Sequence, residues 1–342
     1  MRNWMRYSGL IAATALSLTT LGCPKDTPTP PANSGSPGTT SAGPTTPPGK
    51  KLKIAVIVKG TANSFWKTME AGADAAGKED NIDIGFDGPS PEGDIQNQIN
   101  LVQTQVTNMV DGLVLAATDS NALVKPVQEA VKKGIPVVMV DSGINDTTTP
   151  VCYIATDNVK GGQIAADKLA EAIGKKGNVA LLSMVKGAAS SDQRDQGFLE
   201  GIKKYPNIHL VATQYTENKV ETAVDQTTNI LTAHPDIVGI FATSEPNGVG
   251  SANALKQRKL NGKVTLVAFD SSKEEVAALE DGTILALMVQ DPYQMGYKGV
   301  KTIEQALKKE PIAEKTMDSG LKVVTKQNMN DPDIVKLLPP KS

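Results

Sequence analysis

This sequence predicts an α/β architecture: two doubly wound, parallel-sheet lobes joined by a multi-strand hinge. Three observations carry that prediction. From Lys51 onward, short apolar runs alternate with stretches of helical periodicity, as strands do when helical crossovers cover both faces of their sheet. The pattern occurs twice. DGLVLAATDSNALVKPV and then IPVVMVD end at Asp141, and VGIFATSEPNGVGSANAL and then VTLVAFD end at Asp270, 129 residues later. That interval is the length of one ordinary domain. An earlier pair, KIAVIVKG from Lys53 and NVALLSMVKG from Asn178, keeps nearly the same offset.

In the first lobe, 54–58, 113–116 and 136–140 read as strands, brief and aliphatic or β-branched as buried parallel strands are. Between them Ile95, Ile99, Val102, Val106 and Met109 recur at spacings of four and three and mark one apolar helix face. The second lobe repeats this with strands over 179–184, 237–241 and 265–269 and a helix stripe of Val220, Val224, Thr227 and Leu231. Thr156-Asp157-Asn158, after the apolar strand VCYIAT, reads as a crossing between lobes that also caps a helix from Gly161 onward. Gln290-Asp291-Pro292 is a second polar break, before a helix carrying Tyr297, Val300, Ile303 and Leu307. The expected division is 51–156 with 291–318 for the first lobe, 157–290 with 319–330 for the second, and 331–342 as a tail. Open parallel sheets bind ligands beyond the carboxyl ends of their strands, so two lobes set edge to edge make one site between them.

The 342 residues are enough for two lobes that each bury a core. A net charge of -2 with acids and bases mixed throughout argues against nucleic acid, which calls for a basic face. The two cysteines, Cys23 and Cys152, are too few for a disulfide framework, and Cys152 in its apolar strand reads as a small buried hydrophobe. His209 and His234 have no partners at metal-ligand spacing, so no metal or cofactor is expected. There is no phosphate loop with lysine, no HExxH and no GxSxG, which speaks against an enzyme.

The amino terminus reads as an address. Arg2 and Arg6 precede an uncharged run over 8–22, too short to span a bilayer but suited to a signal-peptide core. Thr20-Leu21-Gly22-Cys23 resembles the lipobox of bacterial lipoproteins, which implies cleavage after residue 22 and lipidation of Cys23. That family more commonly carries leucine where this chain has Thr20. Residues 23–50, nearly all Pro, Thr, Ser and Gly after the cysteine, read as a disordered tether. Fully extended at roughly 3.1 Å per residue it would reach some 80 Å.

The segments ANSFW, VVMVDS, YIATDNVKGGQIAAD, SSDQRDQGF, LTAHPDIVGIFATSE, LVAFDSS and MVQDPYQMGYKGV stand in order over about 51–325. Together they resemble the ribose- and galactose-type sugar-binding proteins of bacterial ABC importers. The resemblance implies the type I periplasmic binding protein fold, a monosaccharide ligand, a permease with its ATPase as partner, and a monomer. Sugar recognition needs planar polar groups that pair with vicinal hydroxyls and aromatic faces for the C–H side of the ring. Matching positions place Asn63, Phe65 and Trp66 in the first βα loop on the ligand, with Asp141, Arg194, Asp270 and Gln290. The bland readings are an aromatic that only packs its helix, aspartates that cap helices, Arg194 ion-paired with Asp192 or Asp195, and Gln290 as a hinge amide.

Three positions depart from the ribose pattern. Ser142 stands where ribose binders carry an arginine, Asn218 where they carry an aromatic, and Ser244 where they carry an asparagine. These smaller groups leave room and remove donors, so the expected ligand is a monosaccharide or related polyol, a hexose as readily as ribose. A LacI-type regulator shares the fold but begins with a helix-turn-helix, whereas this chain begins with an export signal. Coupling to a chemoreceptor or sensor kinase stays open beside import.

Overall fold

The computed structural model describes residues 51–340. The expected signal peptide, the tether and Cys23 lie outside the described residues.

The first lobe is built from β1 (Lys53–Ile57), α1 (Ser64–Glu79), β2 (Asp83–Asp87), α2 (Ile95–Thr107), β3 (Gly112–Leu115), α3 (Val124–Lys132), β4 (Val137–Val140) and β5 (Cys152–Ala155). The second follows with α4 (Asn158–Ala172), β6 (Lys176–Ser183), α5 (Ala189–Ile202), β7 (Asn207–Tyr215), α6 (Val220–Ala233), β8 (Ile237–Ala242), α7 (Glu245–Gln257), β9 (Thr265–Phe269), α8 (Lys273–Glu280) and β10 (Ala286–Val289). The chain then supplies α9 (Pro292–Leu307), β11 (Thr316–Asp318), β12 (Lys322–Thr325) and α10 (Pro332–Val335). The sheets run β2-β1-β3-β4-β5-β11 and β7-β6-β8-β9-β10-β12, the same order position by position. The duplication therefore extends to topology, except that β11 pairs parallel with β5 while β12 pairs antiparallel with β10.

Alternate residues of each strand feed the two faces of its sheet. In the first lobe Ile54, Val56, Val114 and Val138 join one core, and Ala55, Ile57, Leu113, Leu115 and Val137 join the other. In the second lobe Leu182, Ile240 and Leu266 face one side, Val179, Leu181, Phe241 and Val267 the opposite one. Ile334 of α10 also packs into the second lobe's core. Cys152 is fully buried, its thiol donating to the Glu314 carbonyl at 3.3 Å, and burial raises its pKa.

The chain passes between the lobes after β5, after β10 and between β11 and β12. At the crossings the Ser319 amide donates to the Ala155 carbonyl at 3.0 Å, and the hydroxyls of Thr156 and Ser319 stand 3.2 Å apart. Three expectations shift. The helix expected from Gly161 begins at Asn158, because the Asp157 carboxylate accepts from the Lys160 amide and caps it there. Met109 leaves the apolar face of α2: the helix closes at Asn108, and Met109 turns to a left-handed φ of 51° and is 56% exposed. On α6 the buried stripe is Ala223, Thr227, Ile230 and Leu231, one position round from the expected one, with Val220 and Val224 half-buried.

Candidate binding site between the lobes

The carboxyl ends of both sheets meet. Lys59 lies just beyond β1, Asp141 directly after β4, Met184 after β6, Ser244 beyond β8, Asp270 directly after β9 and Gln290 directly after β10. Together with Asn63, Phe65, Trp66, Glu92, Arg194, Asn218 and Pro246 they line one cavity. Asp141 and Asp270, the twin aspartates of the repeat, both take left-handed backbone, with φ of 55° and 77°. Aspartate tolerates this conformation better than most residues, and in each lobe it carries the carboxylate to the cavity wall.

On the first-lobe side, Lys59 is buried and pairs with Asp141 Oδ2 at 2.9 Å, and its ammonium also donates to Ser190 Oγ of the second lobe at 2.9 Å. Phe65 and Trp66 meet edge to face, ring centroids 4.8 Å apart. Trp66 Nε1 donates to Glu92 at 3.1 Å, and burial raises the Glu92 pKa against the pull of Lys59. Asn63 spends its side-chain oxygen on the Trp66 amide, so it caps α1 as well as lining the cavity.

On the second-lobe side, Arg194 is buried, donates through Nε to Asn158 Oδ1 at 2.8 Å and through Nη1 to the Thr243 carbonyl at 2.7 Å, and lies 3.9 Å over the Phe269 ring. It forms no ion pair with Asp192 or Asp195 among the described residues; its fork is held by neutral partners beside the cavity. Gln290 donates to Asp270 Oδ1 at 2.6 Å, and the Glu245 amide donates to the other carboxylate oxygen at 3.1 Å. Burial raises the Asp270 pKa, and the Arg194 charge opposes that rise. Ser244 Oγ donates to Asn218 Oδ1 at 2.6 Å.

Of the ten residues expected from the sequence, nine line the cavity. Ser142 does not: it is fully buried, and its hydroxyl accepts from the Ser190 amide across the lobes at 3.4 Å. Lys59, Glu92, Met184 and Pro246 also line the wall and were not foreseen. Lys59 did carry a signal, a lone charge immediately beyond an apolar strand in IAVIVKG; Glu92, in the loop PSPEGD, carried none.

One buried carboxyl behind the site gives a pH signature. Burial pushes the Asp195 pKa up to about 6 from its ordinary 3.8, although Ser183 and Tyr215 donate to it. The folded chain thus holds this proton more tightly than the unfolded chain. The group's contribution to stability is full below about pH 4 and is lost as pH rises through about 6, a swing on the order of 2–3 kcal/mol. Asp195→Asn removes this term, so the Tm of the variant relative to the parent rises between pH 4 and pH 7 in a thermal melt series. A difference that is flat with pH contradicts the assignment.

A two-lobed α/β protein that encloses a polar, aromatic-edged cavity between its sheets has the form of a ligand-binding protein. Residues 54–311 match the periplasmic binding protein domain family. The chain is similar to the D-allose-binding periplasmic protein of Escherichia coli, with 31% identity over 75% of this chain and 85% of that protein. Among solved structures it is similar to a carbohydrate transporter solute-binding protein of Agrobacterium radiobacter in complex with D-arabinose, with 37% identity, a TM-score of 0.82, and coverage of 84% of this chain and 99% of the other. An ABC transporter solute-binding protein of Agrobacterium vitis with bound D-fucose gives 39% identity and a TM-score of 0.82 over 84% of this chain and all of the other. The chain belongs to the periplasmic binding protein family, and within it to the ribose- and galactose-type sugar-binding proteins of ABC transporters.

Proposed function

We propose that the protein captures a monosaccharide in the cavity between its lobes by hinge closure and delivers it to the permease and ATPase of an importer. The observation that carries this reading is the chemistry of the cavity wall. Gln290 Oε1 is a buried acceptor without a hydrogen-bond partner among the described residues, and leaving such an acceptor unmet costs about 1–3 kcal/mol. A sugar hydroxyl supplies the missing donor, Lys59 and Arg194 supply donors for sugar oxygens, and the edge-to-face Phe65 and Trp66 pair meets the C–H face of the ring. The bound sugar touches both lobes, so it favours the closed form and shifts the population toward it. Asn63, Asn218, Ser244 and Asp270 complete the contacts, and Ser142 acts from behind the wall through Ser190. The sugars bound by the relatives, D-allose, D-arabinose and D-fucose, are all single-ring monosaccharides, which supports the same class here. Export, cleavage before Cys23 and a lipid anchor at that residue belong to the same reading, with the monomer as the working unit.

A thermal-shift panel of pentoses, hexoses and deoxy sugars tests it. A sugar at a hundredfold excess over Kd stabilises the native state by about 2.7 kcal/mol, a Tm rise of roughly 5 °C or more. No shift with any member of the panel rejects the reading. For the anchor, mass spectrometry of the mature protein should find a modified Cys23; a chain that still starts at Met1 refutes export.

A further inference from the structure

One carboxylate outside the cavity wall joins the lobes directly. Glu245, the first residue of α7, is 8% exposed. Its Oε1 accepts from the Ser64 amide at 3.2 Å and the Ser64 hydroxyl at 2.7 Å, and its Oε2 accepts from the Phe65 amide at 3.2 Å. Those donors form the first turn of α1 in the other lobe. A helix leaves its first four amides without intrahelical partners, and its amino end carries partial positive charge. Here two of those amides are met by an anion that the opposite lobe contributes. Phe65, one of the aromatic pair, is held by its own backbone amide in the contact. The Glu245 amide in turn donates to Asp270 Oδ2 at 3.1 Å, which ties the contact to a cavity carboxylate.

We propose that Glu245 is a latch: a positioning residue that sets sugar affinity without touching the sugar, by capping α1 across the cleft only when the lobes are closed. This rests on the closed-cleft binding reading above. When the lobes part, the carboxylate and both amides return to water, so the three bonds belong to the closed state alone. A contact that exists in one state only shifts the equilibrium by its full differential free energy, and charge-assisted bonds are the strong kind. The latch therefore slows sugar release more than it speeds capture.

The test is a double-mutant cycle on the full chain with D-allose, D-arabinose and D-fucose as probes. Glu245→Gln removes the charge and one acceptor. Ser64→Pro removes the partner amide and hydroxyl from the other lobe; Ser64 is the first helical residue, where proline is favoured, and Asn63 before it has the extended φ of -82° and ψ of 168° that a following proline requires. Each variant is expected to raise Kd about 10- to 100-fold, chiefly through koff, with the unliganded Tm within a few degrees of the parent. The double variant should bind no worse than the weaker single one. With sugar bound, amide exchange at Phe65 should be faster in Glu245→Gln than in the parent. Kd within twofold of the parent in both single variants, or fully additive losses, overturns the latch while leaving the binding reading intact. If no probe binds the parent, the binding reading fails and the latch, which rests on it, fails with it.

Discussion

Arg194→Met should abolish sugar binding while leaving a folded protein. Methionine fills most of the arginine's volume against the Phe269 ring, so the packing loss is modest, but the charge and every N–H donor go. Two consequences converge on the cavity. The sugar loses donors already oriented by Asn158 and the Thr243 carbonyl, and Asp270 loses the positive charge that opposes its burial. Truncating one member of a desolvated, charge-assisted contact costs about 2–5 kcal/mol, so Kd should rise at least a hundredfold by calorimetric titration. Arg194→Lys should fail nearly as badly, because an ammonium cannot reproduce the planar fork. A variant that keeps Kd within threefold of the parent would remove Arg194 from the site.

Gly197→Ala should be the most damaging conservative change in the second lobe. A Cβ at Gly197 would stand far inside van der Waals contact with the Val159 carbonyl, and one at Gly162 would do the same to the Arg194 carbonyl. The obstacles are backbone atoms that cannot rotate away, so α4 and α5 must separate. Overpacking of this kind costs about 1–3 kcal/mol, occasionally more, and a Tm loss of roughly 5–10 °C is expected. Because α5 carries Arg194, sugar affinity should fall as well, which a purely local defect would not produce. Gly85→Ala on the edge strand β2 is the control: its Cβ meets nothing within 4 Å, and its melt should match the parent. Equal Tm values for the two alanine variants would refute the close-packed helix pair.

The strands that were legible are those buried on both faces. β1, β3, β4, β6, β8 and β9 are continuous apolar runs whose composition reports their surroundings, whereas edge strands such as β2, with exposure alternating along DIGFD, give a weaker signal. Helix boundaries were less legible. Asp157 could start its helix at Asn158 or a turn later, and only the bond to the Lys160 amide decides it. Arg194 illustrates the same limit: beside Asp192 and Asp195 it reads as a surface ion pair, yet α4, β8 and Phe269 enclose it.

Read as a linear pattern, the chain already specified a repeated βα unit, the strand ends at Asp141 and Asp270, and the polar breaks where it passes between lobes, because periodicity and turn chemistry are local properties. Which side chains share a wall was decided by folding. Lys59 reaches Ser190 across 131 positions of sequence and Glu245 reaches Ser64 across 181. Pairings over such intervals arise only when two sheets are brought edge to edge, and no local spacing encodes the distance between them. Ser142 was drawn from the cavity to an interlobe contact, and Glu92 into the wall, for the same reason.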